Sequence, residues 1–328
     1  VVSVERKLVA ENSGETSRIS GILQKALRYY CGEVMADSSF LNFRTLLLGS
    51  NGMIGSALAK RFGDAPLTAF SHRELDITDY GALEKVFLRT KPQVVLNAAA
   101  FTRVDDCEKF RETAFLVNSQ APGHLAELCK KYQAFLIHFS TDYIFDGTYA
   151  RPYPEDHAAN PINYYGTTKW EGDKKIMSSG ASFLILRTCW IFGKNGDNFI
   201  KKILKRGMAG AKLEVPADQI GSPTYADDVA NAVSRLLSID ATGVYNFTNQ
   251  GNCSRYEQTL TILKLYGLNN FVEAVKNDDL RLPAKRPSFS ALDLTRYMEK
   301  TGHTPRSWQQ STAEYIDFLK QNEHELRS

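Results

Sequence analysis

Residues 45–58 read TLLLGSNGMIGSAL, and this stretch decides the fold. Residues 45–48 are an apolar run of the length of a buried parallel strand. Gly49, Gly52 and Gly55 form a G-x-x-G-x-x-G turn, after which Ile54, Ala57, Leu58 and Phe62 recur at helical spacing. Glycines let the backbone turn tightly and approach a pyrophosphate closely, and a helix N-terminus favours the phosphate charge. Gly49, Asn51, Gly52, Met53, Ile54 and Gly55 are therefore candidate contacts to a dinucleotide.

The alternation continues outward. Residues 66–70, 94–97, 135–139 and 183–186 read as strands, and residues 80–90 and 112–132 as helices, the latter broken in its middle by Pro122. Asn160 and Pro161 mark a loop, and a helix starts near Tyr164. Strands alternating with helices give βαβ units, hence an α/β chain with a parallel sheet. Further helices are expected at 199–206, 226–238, 255–266 and 307–321, with a loop at 282–287. Residues 1–42 read differently: residues 19–30 have apolar spacing that fits an amphipathic helix docked on the main body, or the tail of an upstream domain. The chain begins with Val1, as a processed protein or a fragment would.

Composition narrows the function classes. A length of 328 residues fits about two domains, or one large one. Forty basic against 37 acidic residues leave a net charge of +3, too small an excess for nucleic acid or an anionic membrane as the main partner. No apolar stretch approaches the length of a membrane span, and no signal-peptide pattern opens the chain, so a cytoplasmic protein is expected. Cys31, Cys107, Cys129, Cys189 and Cys253 are odd in number and never form C-x-x-C. Reduced thiols are expected rather than disulfides or a zinc site.

The end of the second strand bears on the cofactor. No carboxylate follows it until Glu74, whereas Ser71, His72 and Arg73 could meet a 2′-phosphate. This favours NADPH, with NADH as the alternative, and Arg73 as a solvated loop cation is the bland reading. The run Asn97, Ala98, Ala99, Ala100 lets a flat cofactor lie against the backbone; alone it also reads as a packing seam.

Tyr165 and Lys169 are four residues apart on the helix that starts near Tyr164, so both lie on one face. An ammonium beside a phenol lowers its pKa and lets it exchange a proton near neutrality. Thr141, at the end of the strand before, offers a hydroxyl to a carbonyl oxygen or to the tyrosine.

The ordered set of glycine turn, strand-end hydroxyl, tyrosine and lysine resembles the short-chain dehydrogenase/reductases. More narrowly, the chain resembles the dTDP-4-dehydrorhamnose reductases in residues 49–55, 75–77, 97–108, 117–118, 140–147, 165–169, 186–190, 218–224 and 283–292. The resemblance implies a Rossmann-type doubly wound parallel sheet with a smaller C-terminal substrate-binding lobe. Residues 43–193 would be mainly the NAD(P)-binding domain and 194–328 mainly the substrate lobe, interleaved with it; residues 1–42 have no assigned role. It implies reduction of the C4 ketone of a nucleotide-linked deoxysugar, dTDP-4-dehydro-L-rhamnose, by NAD(P)H.

Carried over residue by residue, Tyr165 protonates the developing alkoxide, Lys169 holds the ribose and tunes Tyr165, and Thr141 bonds the carbonyl oxygen. Asp76 and Ile77 would meet the adenine, and Ala98, Ala99, Ala100 and Thr102 the cofactor. Val104, Asp142, Trp190, Asn198 and Arg286 would meet the sugar nucleotide; Trp190 also reads as a core aromatic. Arg103 and Cys107 depart from the family pattern. Mg²⁺ stays open, with no metal ligand assigned, and so does a homodimer. The rival reading is a non-catalytic NADP-binding regulatory subunit resembling the methionine adenosyltransferase β subunit. Residues 187–190, with Trp190, and residues 218–224 favour the enzyme.

Overall fold

The computed structural model describes residues 43–327. The expected helical stretch at 19–30, and Cys31, lie outside them. The first strands are β1 (Thr45–Leu48), β2 (Leu67–Phe70), β3 (Val94–Asn97), β4 (Phe135–Thr141) and β5 (Phe183–Thr188). Shorter ones follow: β6 (Ile191–Phe192), β7 (Leu213–Pro216), β8 (Ile220–Gly221), β9 (Thr224–Tyr225) and β10 (Gly243–Asn246). The last are β11 (Cys253–Ser254) and β12 (Val272–Val275).

Six strands form one parallel sheet in the order β10-β5-β4-β3-β1-β2. The runs that lack polar alternation are buried on both faces. Leu47, Leu96, Ile137 and Leu184 face Ala57, Leu58, Val229 and Val233 of the helices Met53–Arg61 and Ala226–Ser238. Leu46, Leu48, Val95 and Leu136 face Leu83, Phe87, Leu125 and Ile176 from helices on the other side. This is the parallel sheet that the alternation predicts, covered on both faces as the resemblance implies. The chain leaves β1 for β2 on one side and returns to β3 on the other, so the connections that leave the carboxyl ends of the neighbours β1 and β3 run to opposite faces of the sheet. Such a switch point is where open α/β sheets hold ligands.

A second core gathers Phe192, Ile200, Leu204, Leu213, Tyr225, Ile262 and Tyr315. Around it lie three two-stranded pairs, β11-β8, β12-β7 and β6-β9. The sixth strand of the large sheet, β10, comes from the C-terminal half of the chain, so the two parts share segments. Among the described residues no helix is long and apolar enough to cross a membrane.

Pro122 does not break the helix expected at 112–132. The helix runs through Arg111–Phe115, one π turn at Leu116–Gln120, and Ala121–Lys131. Proline has no N–H to donate, and it stands in the first turn after the π segment, where the missing donor costs little. The wider turn matters for the site, because the Asn118 carbonyl lies against Gly172: a Cβ there would collide with it.

A candidate reductase site at the switch point

The glycine turn closes on the strand beside it. Gly49 has φ +78°, and a Cβ on it would stand 2.6 Å from the Ala99 nitrogen. A Cβ on Gly55 would collide with the Gly49 carbonyl. Both positions therefore require glycine. Gly52 caps the helix Met53–Arg61 without a side-chain acceptor, and the first turn holds no acidic residue. No side chain competes for those amides, so the donor set fits a pyrophosphate.

At the end of β2 the expectation for Ser71 needs correction. Its hydroxyl and amide both donate to Glu74 Oε2, at 2.7 and 2.8 Å. The carboxylate folds back as a local cap, and His72 and Arg73 are exposed beside it. Asp76 Oδ1 accepts from the Thr78 amide and hydroxyl at 2.9 and 2.8 Å, so one of its oxygens is committed to the loop. Ile77 is buried in the core beside it. Ala98, Ala99 and Ala100 are half-buried at the end of β3.

The helix Tyr164–Ser178 is seated by several contacts. Asn163 Oδ1 accepts from the Gly166 amide at 2.8 Å, and its Nδ2 donates to the Lys285 carbonyl at 2.9 Å. The Tyr164 amide donates to Glu108 Oε1 at 2.8 Å. Gly166 lies against the Tyr143 carbonyl, where a Cβ would collide. Asn118 clamps the far side: its carboxamide exchanges two bonds with the Phe101 backbone, 2.8 and 3.0 Å, and its Nδ2 reaches Thr168 Oγ1 at 3.2 Å. The loop carrying Thr102 is thereby fixed to the helix carrying Tyr165.

Thr141 ends β4. Its Oγ1 accepts from the Tyr143 amide at 3.2 Å and donates to Asp142 Oδ1 at 3.0 Å, and it lies near enough to Tyr165 to act on its phenol. Burial pushes the Tyr165 phenol up, and the neighbouring Thr141 hydroxyl only partly opposes it. Tyr165 thus holds its proton at neutral pH and can give it away. Burial also pushes the Asp142 carboxyl up to about 7.

Lys169 corrects the expected pairing. Its ammonium position is not at the phenol: Nζ donates to the Phe139 carbonyl at 2.6 Å and faces His138 Nε2 at 3.0 Å. Burial lowers its pKa to about 8, against the pull of Asp173. Asp173 Oδ2 accepts from Ser140 Oγ at 2.6 Å and stands 3.9 Å from Arg187 Nε. Spacing alone put the lysine beside the tyrosine; the polar groups of β4 draw it inward.

On the substrate side, Trp190 has φ +47°, a strained value for a bulky residue. A Cβ on Gly221 would fall 2.5 Å from its ring, and the Arg255 guanidinium lies 3.5 Å from the ring centroid. The indole N–H has no partner among the described residues. Val104 is half-buried at the start of the helix Val104–Lys109, and Thr102 is exposed before it. Arg286, expected to meet substrate, is held by Asp105. Asn198 is corrected outright. It caps the helix Phe199–Met208, and its Nδ2 donates to the Gly193 carbonyl and the Tyr315 hydroxyl, at 3.1 and 2.9 Å. Its hydrogen-bonding capacity is taken up by the lobe's own core. Among the described residues no group of three or more His, Cys, Asp or Glu comes together to hold a metal.

Sequence reasoning singled out none of His138, Asp173 and Arg255, and touched Arg187 only as part of the segment 186–190. Asp173 carried a usable signal: it continues the four-residue spacing of Tyr165 and Lys169. His138 carried another, as the one polar residue in residues 135–139.

Comparison with known proteins agrees with this geometry. The family model described as RmlD substrate binding domain matches residues 43–321. The spore coat polysaccharide biosynthesis protein SpsK of Bacillus subtilis is 34% identical over 275 residues, 83% of this chain and 96% of that protein. The dTDP-4-dehydrorhamnose reductase of Aggregatibacter actinomycetemcomitans is 34% identical over 283 residues, 82% of this chain and 96% of its own. A dTDP-4-dehydrorhamnose reductase from Bacillus anthracis, solved in complex with NADP, superimposes with a TM-score of 0.82 at 29% identity, covering 84% of this chain and 99% of that one.

Proposed function

The chain belongs to the RmlD substrate-binding-domain family, and from that premise we propose that it uses NADPH to reduce the C4 ketone of dTDP-4-dehydro-L-rhamnose to dTDP-L-rhamnose. It is an oxidoreductase of the extended short-chain dehydrogenase/reductase type, and it acts on a nucleotide-linked 4-keto sugar. The observation that carries the reading is the Thr141–Tyr165 pair: a strand-end hydroxyl that acts on a buried, protonated phenol in the first turn of the next long helix.

When bound, the nicotinamide supplies a hydride to C4. Thr141 and Tyr165 hold the ketone oxygen, and Tyr165 donates its proton as that oxygen becomes an alkoxide. Lys169 would meet the ribose hydroxyls, through which a proton from solvent would return to the phenolate. The turn from Gly49 to Gly55 takes the pyrophosphate. Residues 43–193 mainly bind the dinucleotide and 194–328 mainly the sugar nucleotide, with Val104, Asp142, Trp190 and Arg286 around it. Exposed His72 and Arg73 favour a 2′-phosphate, hence NADPH over NADH. The regulatory-subunit reading draws no support from the relatives reported above.

The test is product identification. The chain is incubated with NADPH and dTDP-4-dehydro-L-rhamnose, and separately with dTDP-4-dehydro-6-deoxy-D-glucose. Formation of dTDP-L-rhamnose from the first supports the assignment. Turnover of the second alone reassigns the sugar, and no turnover of either by a folded, NADPH-binding chain contradicts the reading.

A further inference from the structure

Behind Lys169 a chain of hydrogen bonds runs to the floor of the cofactor cradle, and its polarity can be read atom by atom. The Ala99 amide donates to Asn97 Oδ1 at 3.3 Å, which turns the Asn97 Nδ2 toward His138. Nδ2 lies 3.1 Å from His138 Nδ1. An amide nitrogen only donates, so Nδ1 accepts and the ring proton sits on Nε2. Nε2 lies 3.0 Å from Lys169 Nζ. An ammonium there would set donor against donor, whereas a neutral amine offers the lone pair that Nε2–H needs. The amine keeps its other partner, the Phe139 carbonyl.

We propose that His138 is a positioning residue of the reductase site: its Nε2–H favours the uncharged amine of Lys169 over the ammonium when no cofactor is bound, and couples proton uptake by Lys169 to the Ala99 amide. The proposal rests on the reading of Lys169 as the lysine of that site. For Lys169 to carry charge, Nε2 must accept. Nζ then gains the proton that Nε2 gives up, and Nδ1 gains one from water, a net uptake of one proton. Nδ1–H now needs an acceptor, so the Asn97 carboxamide turns over, and Ala99 N–H is released to donate to a ligand on the cradle. By linkage, a cofactor that accepts from Ala99 favours charged Lys169, and charged Lys169 tightens the cofactor by the same factor.

The surroundings fit this use. His138 is fully buried in an apolar strand, and burial, then the Lys169 charge, keep its ring neutral. Asp173, one turn beyond Lys169 on the same helix, pulls toward the charged amine. Its Oδ1 stands 4.0 Å from His138 Nε2, and Arg187 from β5 faces its other oxygen. From the elements packed on the opposite side, Asp142, Tyr143 and Cys107 act on Tyr165. The lysine is thus poised between two states, with burial opposing Asp173.

Two measurements on the full chain test this, and neither needs the sugar. In protein labelled with nitrogen-15 histidine, NMR reads the His138 tautomer at alkaline pH without cofactor. The Nε2–H form is expected, and the Nδ1–H form overturns the proposal. The second is NADPH affinity against pH. In the wild type, affinity falls as pH rises through the Lys169 value of about 8. In His138→Leu, which removes the donor, that fall moves up by about one pH unit or more. Asn97→Asp accepts from Nδ1 and fixes the other tautomer, and moves the fall the same way. A folded variant of either kind with unchanged pH dependence overturns the proposal and leaves His138 a packing residue. A wild type that passes both tests but turns over no keto sugar rejects the substrate assignment and leaves this inference standing.

Discussion

Arg286 and Asp105, 181 residues apart in sequence, form a two-point ion pair, with Nη1 to Oδ1 and Nη2 to Oδ2 both at 2.7 Å. Asp105 also accepts from the Ala284 amide at 3.1 Å. The pair ties the helix that follows the Thr102 loop to the loop of residues 282–287. Its planar, two-bond geometry specifies the approach as well as strengthening it. Hydrogen bonding to Arg286 holds the Asp105 carboxyl below its ordinary value. The group's contribution is therefore present above its unfolded pKa and is lost as pH falls through its folded pKa. Asp105→Ala is expected to cost about 1–2 kcal/mol at pH 7, and less in acid. It should raise KM for the nucleotide sugar several-fold while NADPH affinity holds. Thermal melting at two pH values and steady-state kinetics check both.

Asp142 gives a pH effect of opposite sign. It is buried, and burial raises its carboxyl to about 7. Between its unfolded value and that one, the folded chain binds the extra proton, so the group costs stability as pH rises through this window. Asp142→Asn should therefore gain in melting temperature relative to wild type as pH goes from about 5 to about 8, by the equivalent of a few kcal/mol at most. A constant difference across that range would mean Asp142 titrates as an ordinary exposed carboxyl.

Much of this was legible in the sequence, and the reasons are local. The apolar runs of β1, β3 and β4 and the glycine turn carry their own pattern. Helix bounds at 80–90 and 255–266 emerge as expected because Asp79 and Ser254 cap their starts, and those at 226–238 emerge from the apolar spacing alone. Tyr165 and Thr141 were legible because their order along the chain carries the chemistry. What was not legible depends on distant partners. Asn198 reads as a ligand contact until Gly193 and Tyr315 are seen to consume its amide. Lys169 reads as a neighbour of the phenol until His138 and the Phe139 carbonyl appear beside it. The stacking of Arg255 on Trp190 joins positions 65 residues apart, which no periodicity links.

Cofactor choice turns on the end of β2. With Ser71 bonded to Glu74, Arg73 is the cation left exposed for a 2′-phosphate. Arg73→Ala should raise KM for NADPH about tenfold, the worth of one charge-assisted contact, and leave KM for NADH within about twofold. Equal effects on the two cofactors would place Arg73 elsewhere.

The seat of the helix Tyr164–Ser178 is steric. Gly172 touches the Asn118 carbonyl in the π turn, and a methyl group there has no room. Gly172→Ala should push the helix Tyr164–Ser178 outward, cost roughly 2–3 kcal/mol of stability, and lower kcat more than NADPH affinity. Gly210→Ala is the control: its Cβ meets nothing within 4 Å, although its φ of +68° makes a small strain cost of its own. Loss of kcat in Gly210→Ala to the same extent would show that general destabilisation, not the helix seat, is responsible.

The central claim is that the Tyr165 phenol delivers the proton that completes reduction of a nucleotide-linked 4-keto sugar. Tyr165→Phe removes one hydroxyl and keeps the ring. The direct measurement is NADPH consumption with dTDP-4-dehydro-L-rhamnose by wild type and variant, beside NADPH binding by each. The account predicts that the wild type turns over, and that the variant binds NADPH normally and loses about a hundredfold or more in kcat. A variant that reduces the sugar at the wild-type rate would contradict it.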